Sequence, residues 1–520
     1  MNKHRQFFLA SMLLAALALT PSFSSNDRAA DSAQKQAGGG MDLVSSTEEA
    51  RGFGSMIMTA AMAQSGRPMT DALAPARFNL TGFAQAATGG GIVPETDPNY
   101  RKVFTAVDLQ LALASKTTKV IEIMNDLNLG FNEIPTDARK TPLRANTAPL
   151  LHPVLKTTGV TIVDIQDKNG LTIFSLNGAT IKHATFNLKR ATNVLVRNLK
   201  FDELWEWDEA TKGKYDKQGW DFLTVDMNST NVWIDHCTFT KAYDGVADVK
   251  GGSQNVTISW SSFLADDGGP NSFVRQQIVA LEANRSANPM YDFLRTNGFS
   301  VEDIISIVRS QKKGHLIGAN ELDAANANHR VTLHHNYYLN MQDRLPRLRA
   351  GNSHAYNIFV SNAAAFAAKT RRDAVVAAMT PTNAAKLTST FSFDVTLNGS
   401  ISTEGGAVLL EKSNFIGVKS PIRNNQKDAT QAQFTGKIMA SDVLYQLGTV
   451  TFRGNSNTAG SPLAPGPAPA LAFSFNGFTT LPYTYTTNDP TELPALLMAT
   501  DGSGAGKLIW TRQMWLQTTY

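Results

Sequence analysis

The sequence predicts an all-β chain, a parallel β-helix with helical insertions. A short template recurs along it: TNVLVRNLKF (192–201), TNVWIDHCTF (230–239), QNVTISWSSF (254–263), HRVTLHHNYY (329–338) and GAVLLEKSNF (406–415). Each copy carries an apolar pair flanking one position, then an aromatic seven residues after the first apolar. The shortest step, Val232 to Val256, is about 24 residues, what one turn of three short strands and three bends would use. Strands this short, without helices between them, argue against a βαβ sheet. Repeats of this size cannot bury an apolar face alone, so they must stack. The longer steps, Val194 to Val232 and Val256 to Val331, then become loops thrown out of single turns, where sites are usually built.

Taken in order, the chain opens on MNKHRQFFLASMLLAALALTPSFSS, a basic start (Lys3, His4, Arg5) and an apolar run from Phe7 to Leu19. That pattern is a secretory signal peptide, expected over 1–25, and it is short for a membrane span. No later apolar run approaches a span, so a secreted, extracellular protein with no membrane partner is expected. Residues 26–80, rich in Ala, Ser, Gln and Gly, read as a low-complexity leader or linker. The folded domain is expected over 81–520. GFAQAATGGGIVPE forms a glycine-rich turn region, VFTAVDLQLALAS a short amphipathic helix and TKVIEIM a buried strand. Helical insertions are expected at about 264–311, in two pieces with the second opened by Ser300 and Asp303, and at about 362–386. The single cysteine, Cys237, excludes an internal disulfide and reads as a small buried hydrophobe. A net charge of +4 suits an acidic partner, but no basic run or aromatic–basic interleaving points to nucleic acid.

The chemistry gathers around WDFLTVDMNSTNVWIDHCTFTKAYDGVADVK (220–250), read as the strand-like runs FLTV and NVWIDHCTF followed by a loop. Asp221 opens the first run and is preferred to its neighbour Asp226, while Asp244 and Asp248 sit four apart in the loop. Hard cations such as calcium take several carboxylate oxygens from separate segments, which makes the three acids metal candidates. KKGHLIG follows, with Lys312 and Lys313 just before a strand; counting back from LIG picks Lys313. After the HRVTLHHNYY run comes RLPRLR, with Arg344, Arg347 and Arg349. In a strand, alternation would set Arg347 on the opposite face from Arg344. Groups at one point of successive coils lie about one strand spacing apart, roughly 4.7–4.9 Å. Acids, lysine and arginines would then share one groove suited to a polymer of carboxylates.

NVWIDH, DGxxDxK, the LIG strand, VTLHHNYY, RLPRLR and EGGAVLLEKSNF, in this order and with TGGG before them and LPYTYTTND after, resemble the extracellular pectate lyases, a polysaccharide lyase family. The resemblance runs from about residue 80 to about 510. It implies a right-handed parallel β-helix that cleaves polygalacturonate (pectin) by calcium-dependent β-elimination, and the chain is expected to act as a monomer. By motif position, Asp221, Asp244 and Asp248 resemble the calcium ligands, and Arg344 the base that takes the C5 proton. Lys313 and Arg349 resemble the residues that grip the substrate carboxylate, while Asp235 and His236 match a mainly structural pattern. Arginine is an unusual base; neighbouring cations disfavour its charged form, and activity is expected to climb toward alkaline pH. Three rivals remain: a pectin lyase acting on methyl-esterified polymer without calcium, a hydrolase using Asp266, Asp267 and His315, and a silent carbohydrate-binding β-helix.

Overall fold

The computed structural model describes residues 76–209, 218–391, 393–424, 433–466, 471–506 and 508–520. The expected signal peptide and almost all of the expected leader lie outside the described residues.

The chain coils as a right-handed parallel β-helix of three sheets with ten, ten and nine strands, here sheets A, B and C. One full coil runs through Thr230–Asp235 in A, Thr238–Thr240 in B and Ala247–Val249 in C, then returns to A at Gln254–Ser259. The valines of the repeat stack in register: Val194 beside Val232, Val232 beside Val256, Val256 beside Val331. Each copy of the template is two strands rather than one. A residue in left-handed backbone splits it at the corner between A and B: Asn198 (φ 52), His236 (φ 50), Trp260 (φ 46), His335 (φ 51) and Lys412 (φ 45). Past that bend the template's aromatics turn inward and stack, Phe201 on Phe239 at 5.0 Å, Phe239 on Phe263 at 5.0 Å and Phe263 on Tyr338 at 4.9 Å. Each fully buried ring of this ladder contributes roughly 1.5–3 kcal/mol of transfer free energy. Cys237 is buried in the same core.

A coil absent from the aligned copies lies between Val331 and Val408. Asn352–Tyr356 pairs with Arg330–His334 on one side and Ala407–Glu411 on the other, with Ser353 at the valine position.

Both insertions leave the coil at the same corner, between B and C. The first holds three helices, Phe273–Ala283, Pro289–Thr296 and Val301–Val308. Pro289 at the first helical turn separates the middle helix from its predecessor. Ser300 and Asp303 close the capping box on the third. The second insertion holds Ala363–Ala377 and Pro381–Ser389. The two insertions pack as one body through Phe293 against Phe391 (5.0 Å), Phe299 against Phe393 (5.5 Å) and the Arg371–Asp303 ion pair (2.9 Å). Among the described residues no helix is long and apolar enough to cross a membrane.

The two ends of the described residues lie on the outer face of sheet A and its corner with B. Phe78, at the end of the stretch read as leader, is fully buried against Trp260 (4.6 Å), His236 (5.0 Å) and Trp510 (5.2 Å). Arg197 and Asp235, both 0% exposed, form an ion pair at 2.7 Å. The same guanidinium donates to the carbonyls of Trp515 (2.9 Å) and Gln517 (2.8 Å) and to the Tyr520 hydroxyl (2.8 Å), which ties down the C-terminal residues. Tyr483, in the late LPYTYTTND stretch, bonds with His354 Nδ1 at 2.8 Å and Thr332 at 2.9 Å.

Buried histidines give the fold a pH dependence. His315 donates from Nδ1 to the Ala247 carbonyl (2.8 Å) and accepts from the Tyr338 hydroxyl (3.0 Å). His335 stacks on Trp260 at 4.3 Å and bonds the Asn488 side chain at 3.0 Å. Burial pushes both imidazoles down to about 4. Between pH 6.5 and 4 the unfolded chain therefore binds more protons than the folded one, and stability falls as the solution is acidified. Each histidine contributes about 1.4 kcal/mol per pH unit within that window. Denaturant midpoints measured at pH 7, 6 and 5 should fall in step; equal midpoints would refute this account.

Candidate active site

Sheet C brings the selected residues together. Strands Leu223–Asp226, Ala247–Val249, Leu316–Ile317 and Arg347–Arg349 are consecutive neighbours in it, and each is entered from the corner between B and C. Val249, Ile317 and Leu348 share one register row and point into the core. Alternation turns Asp248 and Lys250, then Arg347 and Arg349, to the outer face.

Asp221 sits just before the first of these strands, and its Oδ1 accepts from the Gly245 backbone N–H at 2.8 Å. Asp248 belongs to a strand, not to the loop expected from the sequence. Its Oδ1 accepts from the Leu316 N–H of the next coil at 2.9 Å. The two carboxylates close over Gly245 so tightly that a Cβ there would lie 2.5 Å from Asp248 Oδ1 and 2.7 Å from Asp221 Oδ1. Burial first, and then the charge of Asp248, push the Asp221 carboxyl up to about 7. Between them reaches Lys250, 2.6 Å from Asp221 and 3.0 Å from Asp248. Burial opposes the Lys250 charge, but the two aspartates more than reverse this and hold it protonated.

Asp244 turns to Lys313, at 2.8 Å. Burial raises the Asp244 carboxyl, and the charges of Lys313 and Arg344 outweigh it, holding the group below the usual carboxylate range. Asp244 and Arg344 are therefore electrostatic neighbours although 100 residues separate them. Gln311 clamps this corner, donating to the carbonyls of Asp244 (2.6 Å) and Lys313 (2.9 Å). Arg344 is 4% exposed and stands in left-handed backbone (φ 65) ahead of its strand. Its carbonyl accepts from the His315 N–H at 2.8 Å, and a Cβ on Gly314 would meet that carbonyl at 2.4 Å. The Gly of KKGHLIG is thus required where two coils touch.

Arg349 lies at the far end of the strand, 3% exposed. Its Nη1 donates to the carbonyls of Gly318 (2.7 Å) and Ala319 (3.1 Å), and Glu321 and Glu404 each stand 3.7 Å from the guanidinium. Because Arg344 precedes the strand, alternation does not separate it from Arg347. Arg347 shares the outer face with Arg349 and approaches Glu321 at 3.9 Å.

The residues of the hydrolase rival are structural. His315 is buried and satisfied, and Asp266 accepts from the Gly268 (2.7 Å) and Val274 (3.2 Å) backbone near the start of the first insertion helix. Lys250 was missed by sequence reasoning, although the DGxxDxK motif contains it and strand alternation sets it on the face of Asp248.

The pectate lyase sequence profile matches residues 56–269 and 303–485. The chain belongs to the pectate lyase family. Pectate lyase B of Paenibacillus amylolyticus is 53% identical over 361 residues, which cover 69% of this chain and 90% of that protein. The solved pectate lyase of Paenibacillus sp. 0602 is 54% identical, with a TM-score of 0.82 over 86% of this chain and all of that one. A pectate trisaccharide-lyase of Thermotoga maritima is 30% identical over 190 residues, 36% of this chain and 39% of that protein. The pectate lyase profile leaves out 270–302, most of the first helical insertion, so that wall of the corner is not part of the common family pattern.

The calcium that the family implies finds part of its donor set here. Asp221 and Asp248 offer hard carboxylate oxygens converging on one cradle, which fits such a cation. Asp244 is engaged with Lys313, and among the described residues no three acidic or imidazole groups close on a single point. Holding a cation with all three aspartates requires Asp244 to leave Lys313 and Lys250 to yield its place.

Proposed function

We propose that the chain is a secreted pectate lyase that cleaves (1→4)-α-D-galacturonan with calcium, by β-elimination, to unsaturated oligogalacturonides. What supports this reading is the convergence at one corner of paired carboxylates, Asp221 and Asp248, with Asp244, Lys313 and Arg344. A C5 hydrogen beside a carboxylate is a poor acid, because its removal loads charge onto an anionic group. Fixed cations aimed at that carboxylate offset the charge as it develops. Asp221, Asp244 and Asp248 would hold the calcium, which would supply further positive charge to the substrate carboxylate.

Arg344, in its neutral form, takes the C5 proton, a C4–C5 double bond forms as the C4–O4 bond breaks, and O4 leaves on the new reducing-end fragment with a proton from water. Lys313, whose side chain is 16% exposed, meets the substrate carboxylate. Arg349 adds its charge from behind the Gly318–Glu321 loop. The test is the purified protein on polygalacturonate. Unsaturated product should accumulate, faster at alkaline pH, and a chelator should abolish it until calcium is restored. Indifference to the chelator with preference for methyl-esterified polymer would favour the pectin lyase reading.

A further inference from the structure

Beside the carboxylate corner, one or two residues earlier in each coil, runs a narrow recess that the proposed chemistry does not use. Trp205, Lys241 and Tyr243, Lys312 and Gln342 line it from successive coils, and Phe393 and Asp394 at the end of the second insertion close it. Trp205, Tyr243, Lys241 and Gln342 are each at most 5% exposed, so the site is built into the fold rather than laid on the surface. The Lys241 ammonium lies 5.2 Å from the Trp205 ring centroid and donates to the Ser310 carbonyl at 2.7 Å. Tyr243 is fixed by its bond to Asp208 at 2.9 Å. Gln311 forms the partition: its side chain joins Asp244 to Lys313, the neighbours of Tyr243 and Lys312 on the site's side.

We propose that this recess takes the exocyclic carboxylate of a second uronic acid residue of the polymer, adjacent to the residue at the reacting centre. The inference rests on the lyase reading. The free volume open to water is only about 20 Å³, enough for one small group and too little for a pyranose ring. Two lysines set the charge it prefers, with the Asp394 carboxylate as the opposing charge in the lining. Burial pushes the Lys241 ammonium down to about 7, a cost that an incoming anion relieves. The walls come from both insertions, Ile307, Val308 and Ser310 on one side and Phe393 on the other.

The test compares kcat/KM on oligogalacturonides of graded length for the unchanged protein and for Lys312→Ala, a partly exposed position where folding is not at stake. Lys241→Met, checked for an unchanged thermal midpoint, is the second variant. Losing one charged partner should cost about tenfold on long oligomers and on polymer. The loss on the shortest oligomer cleaved should stay within about twofold, and the product sizes should shift. Equal losses at every length, or none, overturn the inference while leaving the lyase reading intact. Failure of the unchanged protein to release any unsaturated product overturns both.

Discussion

Replacing Arg344 by lysine should lower kcat on polygalacturonate by between about 10² and 10⁴, the range a positioned proton acceptor supplies. Oligogalacturonate binding should survive. The substitution keeps the positive charge but exchanges a rigid planar fork for a compact ammonium on a flexible stem. Arg344 is 4% exposed, and its backbone is fixed at φ 65 by the contact of its carbonyl with the preceding coil. A shorter reach cannot be compensated by moving the main chain, so the acceptor misses C5. The measurement is the rate of unsaturated-product formation across alkaline pH, alongside binding by calorimetry. A lysine variant that turns over at the original rate would remove Arg344 from proton transfer.

Arg197→Met should destabilise the fold by about 3–5 kcal/mol, the usual consequence of leaving one member of a buried ion pair without its partner. Asp235 is 0% exposed and would keep only the Ser259 hydroxyl (2.9 Å) and His236 (2.9 Å) as neighbours. The carbonyls of Trp515 and Gln517 lose their donor in the same step. The denaturant midpoint should therefore fall, and the C-terminal residues should become sensitive to protease well below the global transition. A change under about 1 kcal/mol, with the tail still protected, would contradict the assigned role.

Much of the coil was legible because its stacking positions are apolar and repeat: the valines at 194, 232, 256 and 331 fall in one register column. The coil through Asn352–Tyr356 escaped notice because Ser353 and the small Ala355 stand where the other copies carry their apolar pair. The bend inside each template was equally hidden. Asn198, His236 and His335 belong to types enriched in left-handed backbone but common elsewhere, and packing imposes it on Trp260 and Lys412. At the site, carboxylates, lysine and arginine could be chosen by order and spacing. The pairing of Lys250 with Asp221 could not, since the two belong to successive coils. Nor could the seat of Arg349, which depends on Glu321 in a loop with no repeat of its own.

Chemistry and variability leave this molecule at a single edge. The two insertions spring from the same corner that presents the aspartates, Lys313 and Arg344, while the phenylalanine stack on the inner side sets the pitch. Length can be added or removed at that edge without disturbing the column that carries the reacting groups. Grafting the helical body onto a shorter relative is therefore a way to alter which polymer is accepted while the cleavage machinery stays where it is.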